Sequence, residues 1–438
     1  MKYFYGVLVN TLIANVTSSF LWFALTFWVY LETKSVLATA IIGGAYMLLV
    51  AVFSLVFGLI VDKNKKKNAM LASSAITLGA YSLAGILFLV FPESSLTNWQ
   101  SAAFWLFGLI ILMGGVVENM RNIALSTTVT LLVPEPMHDK ANGLVGSVQG
   151  MAFLVTSVFS GLSIGLLGMG WTLVIAIVMT AISLLHLMLF VPMPEKSIIH
   201  DPELEKKKID VKGSLKAIHQ IPGLMALILF TTFNNLMGGA YMALMDPYGL
   251  TLFSVEMWGI VLGVTGTGFI IGGLLVAKKG LGKLPLKTLL LVNIGVGLLG
   301  ALFTIREWWL LYAVGIFVFM CFMPVAEAAE QTVIQKVVPY QRQGRVFGFA
   351  QSIEAASAPI TAFLIGPLAQ FWLIPYMQSD TGKAQFGWLL GHGEARGIAL
   401  VFLVTGVLTI TITLLAFASK SYRVLSAYYA KPSVNSKA

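Results

Sequence analysis

Twelve long apolar runs dominate this sequence, and a span needs about 20 apolar residues to cross the hydrocarbon of a bilayer. They cover residues 4 to 31, 36 to 61, 69 to 91, 102 to 132, 142 to 167, 171 to 191, 223 to 245, 256 to 277, 286 to 304, 308 to 334, 345 to 374 and 395 to 419. With 58% hydrophobic and 11% charged residues, and a mean hydropathy of +0.86, the 438-residue chain could not present a wettable surface. Its solvent is lipid. The expected fold is an all-α membrane protein with twelve transmembrane helices in two pseudo-symmetric six-helix bundles, and an even number of spans returns both termini to one side.

Lysine and arginine say which side. With the N-terminus cytoplasmic, the inner connections and tails hold 23 of the 28 basic residues. Lys34, Arg306, Lys383 and Arg396 fall outside, and Arg121 falls inside span 4. This bias predicts a multi-pass protein of a bacterial-type inner (cytoplasmic) membrane with both termini cytoplasmic. The net charge of +9 does not point to nucleic acid, because the cations are scattered over seven loops and tails. Nor is the first span a signal peptide, being too long and lacking a small-residue cleavage site. Cys321, the single cysteine, can form no internal disulfide.

The longest inner connection separates six spans from six. The expected organisation is an N-terminal bundle over 1–192, a cytoplasmic linker over 193–222, a C-terminal bundle over 223–419 and a cytoplasmic tail over 420–438. Within the linker, Val211, Leu215, Ile218 and Ile221 recur at helical spacing beside Lys212 and Lys216, which predicts a short surface helix over 209–221. An internal repeat supports the two halves. Pro134, Gly143 and Ser147 recur as Pro339, Gly348 and Ser352 at an offset of 205, and Gly58 before Asp62-Lys63 recurs as Gly273 before Ala277-Lys278. Two parallel six-span repeats are a transporter layout.

Between spans 2 and 3 an acid and four lysines share one tight turn, Asp62-Lys63-Asn64-Lys65-Lys66-Lys67. An aspartate at one helix end followed by cations at the next can hold a gate shut. Gly58-x-x-x-Asp62-Lys63-x-x-x-Lys67 resembles the loop 2-3 signature of the major facilitator superfamily, and that likeness implies a gating role for Gly58, Asp62, Lys63 and Lys67. Asn64 and Lys65 stand where the signature has glycine, and Ala277 replaces the acid in the second half.

A narrower likeness covers almost the whole chain. Leu131-Leu-Val-Pro134-Glu135, Asn142-Gly143, Pro222-Gly223-Leu224 and Gly344-Arg345-Val346-Phe347 resemble macrolide-efflux-type members of that superfamily. Such drug:H+ antiporters move bulky lipophilic compounds outward in exchange for protons. Two export features are missing: Gly114 and Gly115 stand where span 4 usually has an arginine, and span 5 lacks the Gly-Pro pair of the antiporter motif.

Charges inside spans are the clearest clues to mechanism, since an ionised acid at the bilayer centre costs on the order of 3 kcal/mol. Glu118 and Arg121 share a face of span 4 and can neutralise one another. Glu327 and Glu330 have the same spacing in span 10, where two acids favour holding a proton between them. Glu354 in span 11 stands at the repeat position of Gln149 in span 5. These five, Glu118, Arg121, Glu327, Glu330 and Glu354, are the expected proton-coupling residues, while Asp246 reads as an outer gate or helix-end residue. Asn15, Phe20, Trp22 and Phe23 of span 1 with Phe233, Asn234, Asn235 and Tyr241 of span 7 are expected to line the substrate cavity, as the resemblance implies for the first helix of each half. Trp28, Trp99, Trp308 and Trp309 read as interfacial anchors. Gly259, Gly263, Gly268 and Gly272 at four-residue spacing read as helix-packing positions.

No Gly-x-x-x-x-Gly-Lys-Ser/Thr sequence supports ATP drive, and the five histidines are not at metal-ligand spacing. No cofactor, metal or enzymatic activity is expected. The expectation is a monomeric, secondary active multidrug antiporter, whose partners are protons, lipid and a small lipophilic substrate and whose activity gives antibiotic resistance. A selective transporter of one metabolite, such as a siderophore or a lysolipid, and a non-transporting sensor or scaffold are the alternatives.

Overall fold

The computed structural model describes residues 2–33, 36–195, 211–393 and 395–432. The charged run 196–210, which carries Asp201, Glu203, Glu205 and Lys206 to Lys208, lies outside the described residues, as does the end of the tail. Everything long is helical, because a backbone without water must satisfy each N–H and C=O within its own segment. Spans 1 to 4 are Lys2–Thr33, Val36–Lys63, Lys66–Val90 and Ala102–Leu132. Spans 5 and 6 form one run, His138–Phe190, interrupted only at Gly168, whose φ of 75° favours glycine. Ser163 and Thr172 bond across this break at 2.7 Å, so the two rods fold back as a hairpin. Spans 7 to 10 are Leu224–Leu252, Val255–Lys279, Pro285–Leu302 and Trp309–Val337, span 11 begins as Tyr340–Leu368, and span 12 is Arg396–Ala418. Val211–His219, within the short helix expected over 209–221, and Lys420–Tyr429 are two further helices.

Among the described residues, ten helices are long and apolar enough to cross a membrane, one of them being the double run through Gly168. Span 11 is less apolar and carries Pro359 and Pro367; after Leu368 it passes through a wider, five-residue turn, Ala369–Leu373. The fold is thus the expected all-α, twelve-span arrangement.

The chain divides into two compact units. One comprises 1–138, 151–217 and 338–352; the other comprises 139–150, 218–337 and 353–438. In the first, span 3 packs closely on span 4. An added Cβ on Gly114 would stand 2.5 Å from the Tyr81 ring, so the glycine admits that ring. Trp28 is 5% exposed and its ring sits 5.4 Å from that of Phe107, so it is a core residue rather than the expected interfacial anchor. In the second unit an aromatic cluster of Tyr241, Tyr248, Phe303, Tyr312, Phe319 and Phe402 fills the centre. Trp308 and Trp309, by contrast, are about half exposed.

Candidate functional site

Spans 2 and 3 are joined by Asn64 and Lys65 alone. Asp62, buried on the last turn of span 2, reaches the start of span 11. Its Oδ1 accepts the Gly344 N–H at 2.7 Å, its Oδ2 accepts the Arg345 N–H at 3.0 Å, and the Arg345 Nε lies 3.4 Å away. Gly58, one turn earlier, makes this approach possible: a Cβ there would collide with the Gly344 carbonyl. Of the other expected gate residues, Lys67 donates to the Met188 carbonyl at 3.2 Å and Lys63 is half-buried.

Lys66 is the lysine this cluster buries. Its Nζ donates to the Val61 carbonyl at 2.8 Å and lies 4.9 Å over the Tyr340 ring. Glu195 completes the cluster, accepting the Lys66 N–H at 2.7 Å and the Tyr340 hydroxyl at 3.0 Å. The carboxylate of Glu195 and the Lys66 ammonium are 4.0 Å apart. Two acids, Asp62 and Glu195, therefore fasten the beginning of span 11 to spans 2 and 3.

The repeat recurs in the second unit with altered chemistry. Gly143 of span 5 meets Gly273 of span 8, where a Cβ on Gly143 would stand 2.8 Å from the Gly273 carbonyl. Ser147 and its repeat mate Ser352 both donate across the crossing, to Ile270 and to Ala51 respectively. Ala277 replaces the aspartate, and the acid has changed partners: Asp139, at the start of span 5, accepts the Leu281 N–H at 2.8 Å.

Glu118 and Arg121 lie together inside the first unit, 5% and 0% exposed, with Nε 3.5 Å from Oε1. Arg121 also donates to Ser74 at 3.2 Å and to the Asn10 side-chain carbonyl. Asn10 in turn donates to the Ser183 carbonyl at 2.8 Å and lies 3.2 Å from His186 Nδ1. Ser73 donates to the Val117 carbonyl at 2.9 Å and lies 3.4 Å from Glu118 Oε2.

In the second unit the expected pairing of acids is rearranged. Glu327 does not share its contacts with Glu330; it accepts from Gln149 at 3.3 Å. Glu330 and Glu354 instead converge on Thr231, at 3.0 Å and 2.8 Å from its hydroxyl. The Ile228 carbonyl lies 3.1 Å from the same oxygen. One threonine hydroxyl has one hydrogen, and neither a carbonyl nor a carboxylate can donate. The hydroxyl can therefore serve only one of these acceptors at a time, so two carboxyl groups converge on a single hydrogen.

The expected cavity residues differ in their surroundings. Trp22 stacks on Tyr46 at 4.4 Å, Asn15 and Phe233 are half-buried, Asn235 donates to the Thr231 carbonyl at 3.1 Å, and the Asn234 side-chain oxygen is buried without a hydrogen-bond partner. Tyr241 is different. It is 3% exposed and packs on Phe319 and Phe402 at 5.4 Å, which makes it a wall of the core rather than of a cavity. Asp246 accepts from Trp258 at 3.0 Å. Among the described residues no three His, Cys, Asp or Glu side chains are grouped to hold a metal ion.

Glu195, Tyr340, Asn10, Thr231 and Asp139 escaped the sequence reading. Each acts through a partner distant in the chain, and Glu195 fell within the cytoplasmic linker expected over 193–222.

The profile of the Major Facilitator Superfamily matches residues 7–362. Macrolide efflux protein A of Streptococcus pyogenes is 24% identical over 379 residues, covering 82% of this chain and 88% of that protein. The protein of the same name from Enterococcus faecalis is 24% identical over 328 residues, with 71% and 94% coverage. Among solved structures, a bacterial homologue of the iron transporter ferroportin in its outward-facing state superposes with a TM-score of 0.68 at 14% identity, covering 96% of this chain and 100% of the other. The proton:xylose symporter XylE gives a TM-score of 0.64 at 12% identity, with 98% and 99% coverage.

Proposed function

Because this chain belongs to the Major Facilitator Superfamily, we propose that it is a proton-coupled exporter of bulky lipophilic compounds that works by alternating access. The observation that supports the coupling is the Thr231 hydroxyl between Glu330 and Glu354, where two carboxyl groups converge on one hydrogen and a proton shared between them would relieve their like charge. The substrate class rests on the curated relatives named macrolide efflux proteins. The chain acts as a monomer in a bacterial inner membrane, with both termini cytoplasmic.

In this reading the chain alternates between inward-open and outward-open states, and Asn15, Trp22, Phe233, Asn234 and Asn235 are the residues proposed to meet the substrate. Glu118 and the Glu330–Glu354 pair carry protons inward, each worth about 2.3 kcal/mol per 100 mV of membrane potential. The Asp62 and Glu195 ties are a latch that opens in one half of the cycle.

Proteoliposomes with an imposed pH gradient, presented with a macrolide and with unrelated dyes, test this. Wild-type protein should accumulate both classes against their gradients, and Glu330→Gln with Glu354→Gln should abolish the dependence on pH while substrate binding persists. Full gradient-driven uptake by that double variant would remove the proposed proton site; transport of neither class would remove the substrate assignment.

A further inference from the structure

A small cavity lies inside the first unit between spans 1, 3, 4 and 6. Its polar walls include Thr17, Ser18, Thr77, Glu118, Thr180 and Ser183, and its volume is about 10 Å³, room for about one water molecule. Four of these hydroxyls have already given their hydrogens to their surroundings: Thr17 to Ile13 at 2.8 Å, Ser18 to Ala14 at 3.1 Å, Thr77 to Gly114 at 2.9 Å and Thr180 to Ala176 at 2.7 Å. They can offer the cavity only lone pairs.

Two buried atoms there lack hydrogen-bond partners, Glu118 Oε1 and Ser183 Oγ. Ser183 therefore has a hydrogen to give, and Glu118 has an oxygen that needs one. A water matches both, accepting from Ser183 and donating to Oε1 and to a neighbouring hydroxyl oxygen. A metal cation matches less well, since Arg121 already balances Glu118 and an added charge would stand uncompensated in a dry interior.

We propose that this cavity binds one water, through which Glu118 exchanges its proton, and that Ser183 is the positioning residue for that water. The inference rests on the reading of Glu118 as a proton carrier. A proton arriving from the gradient on this water passes to Oε1 as one O–H bond breaks and another forms, leaving the water neutral; release is the reverse. The charged or titratable groups facing Glu118 are Arg121 on its own helix, Tyr81 from span 3 and Tyr46 from span 2. Span 6 brings His186, held at Asn10, and span 1 brings Asn10 and its hydroxyls.

The test is made on the full chain in proteoliposomes, following pH-gradient-driven flux together with the infrared carbonyl band of protonated Glu118, which is assigned by its loss in Glu118→Gln. Ser183→Ala should lower flux about tenfold, the loss of one buried hydrogen bond, displace the pH profile and move the band. Ser183→Thr should restore all three. If Ser183→Ala leaves profile and band unmoved while Glu118→Gln still abolishes coupled flux, the water is refuted and the proton-carrier reading stands. If Glu118→Gln keeps full coupled flux, both fall. A band and flux that respond to sodium at constant pH would overturn the water in favour of a cation.

Discussion

Asp62→Asn changes no volume and removes one charge, so its effect isolates the latch. The two main-chain N–H groups it receives sit on different oxygens, Gly344 on Oδ1 and Arg345 on Oδ2. An asparagine has one accepting oxygen, and its NH2 must face one of these donors. The Arg345 guanidinium, 4% exposed, loses its counter-charge at the same time. Breaking a buried ion pair costs about 3–5 kcal/mol, and the lower figure corresponds to about 150-fold in an equilibrium constant. If the latch exists in only one half of the cycle, the latched population should fall by that factor. Nitroxides at Asn64→Cys and Gln341→Cys, in a chain whose single Cys321 is replaced by serine, report the separation of the turn from the start of span 11. The parent should show one short distance by pulsed electron paramagnetic resonance, and Asp62→Asn should add a longer one and change turnover. Adding Glu195→Gln, which weakens the tie to Tyr340, should enlarge the longer population. One unchanged distance and unchanged turnover in the double variant would show that these contacts do not hold a conformation.

Gly58→Leu and Gly273→Leu should each abolish flux while preserving helix content by circular dichroism, because their side chains meet the Gly344 carbonyl and the Ser147 main chain; Gly43→Ala, with nothing within 4 Å of its Cβ, should be neutral. Arg396→Met should lower the melting temperature in detergent without moving the pH profile. The arginine donates to the Thr304 and Leu390 carbonyls at 3.1 and 3.0 Å and to the Tyr248 hydroxyl at 2.7 Å, and pairs with Glu307 at 2.9 Å, a set worth about 3 kcal/mol. An unaltered melt would refute that estimate.

The span count was legible because lipid demands uninterrupted apolar length, and that demand is local. The repeat was legible for a related reason. Gly58, Gly143, Gly273 and Gly348 stand at helix crossings where a Cβ would strike backbone, so the same small residue is needed in both halves. What the sequence concealed was rotation about each helix axis. In a membrane the face toward lipid and the face toward other helices are both apolar, so periodicity does not show which way Tyr241 or Trp28 turns. Spacing within one helix paired Glu327 with Glu330, yet Glu330 turns toward Glu354 on another span. Glu195 fell within the expected linker because the donors it meets, the Lys66 N–H and the Tyr340 hydroxyl, are far away in the chain.

At Gly168 one residue with positive φ reverses the direction of the chain, and the helices on either side run up to it. That bend leaves no polar stretch between the two rods in which to insert a tag or a cleavage site. The Ser163–Thr172 bond ties the two rods beside the turn, so whatever tips one there drags its neighbour along.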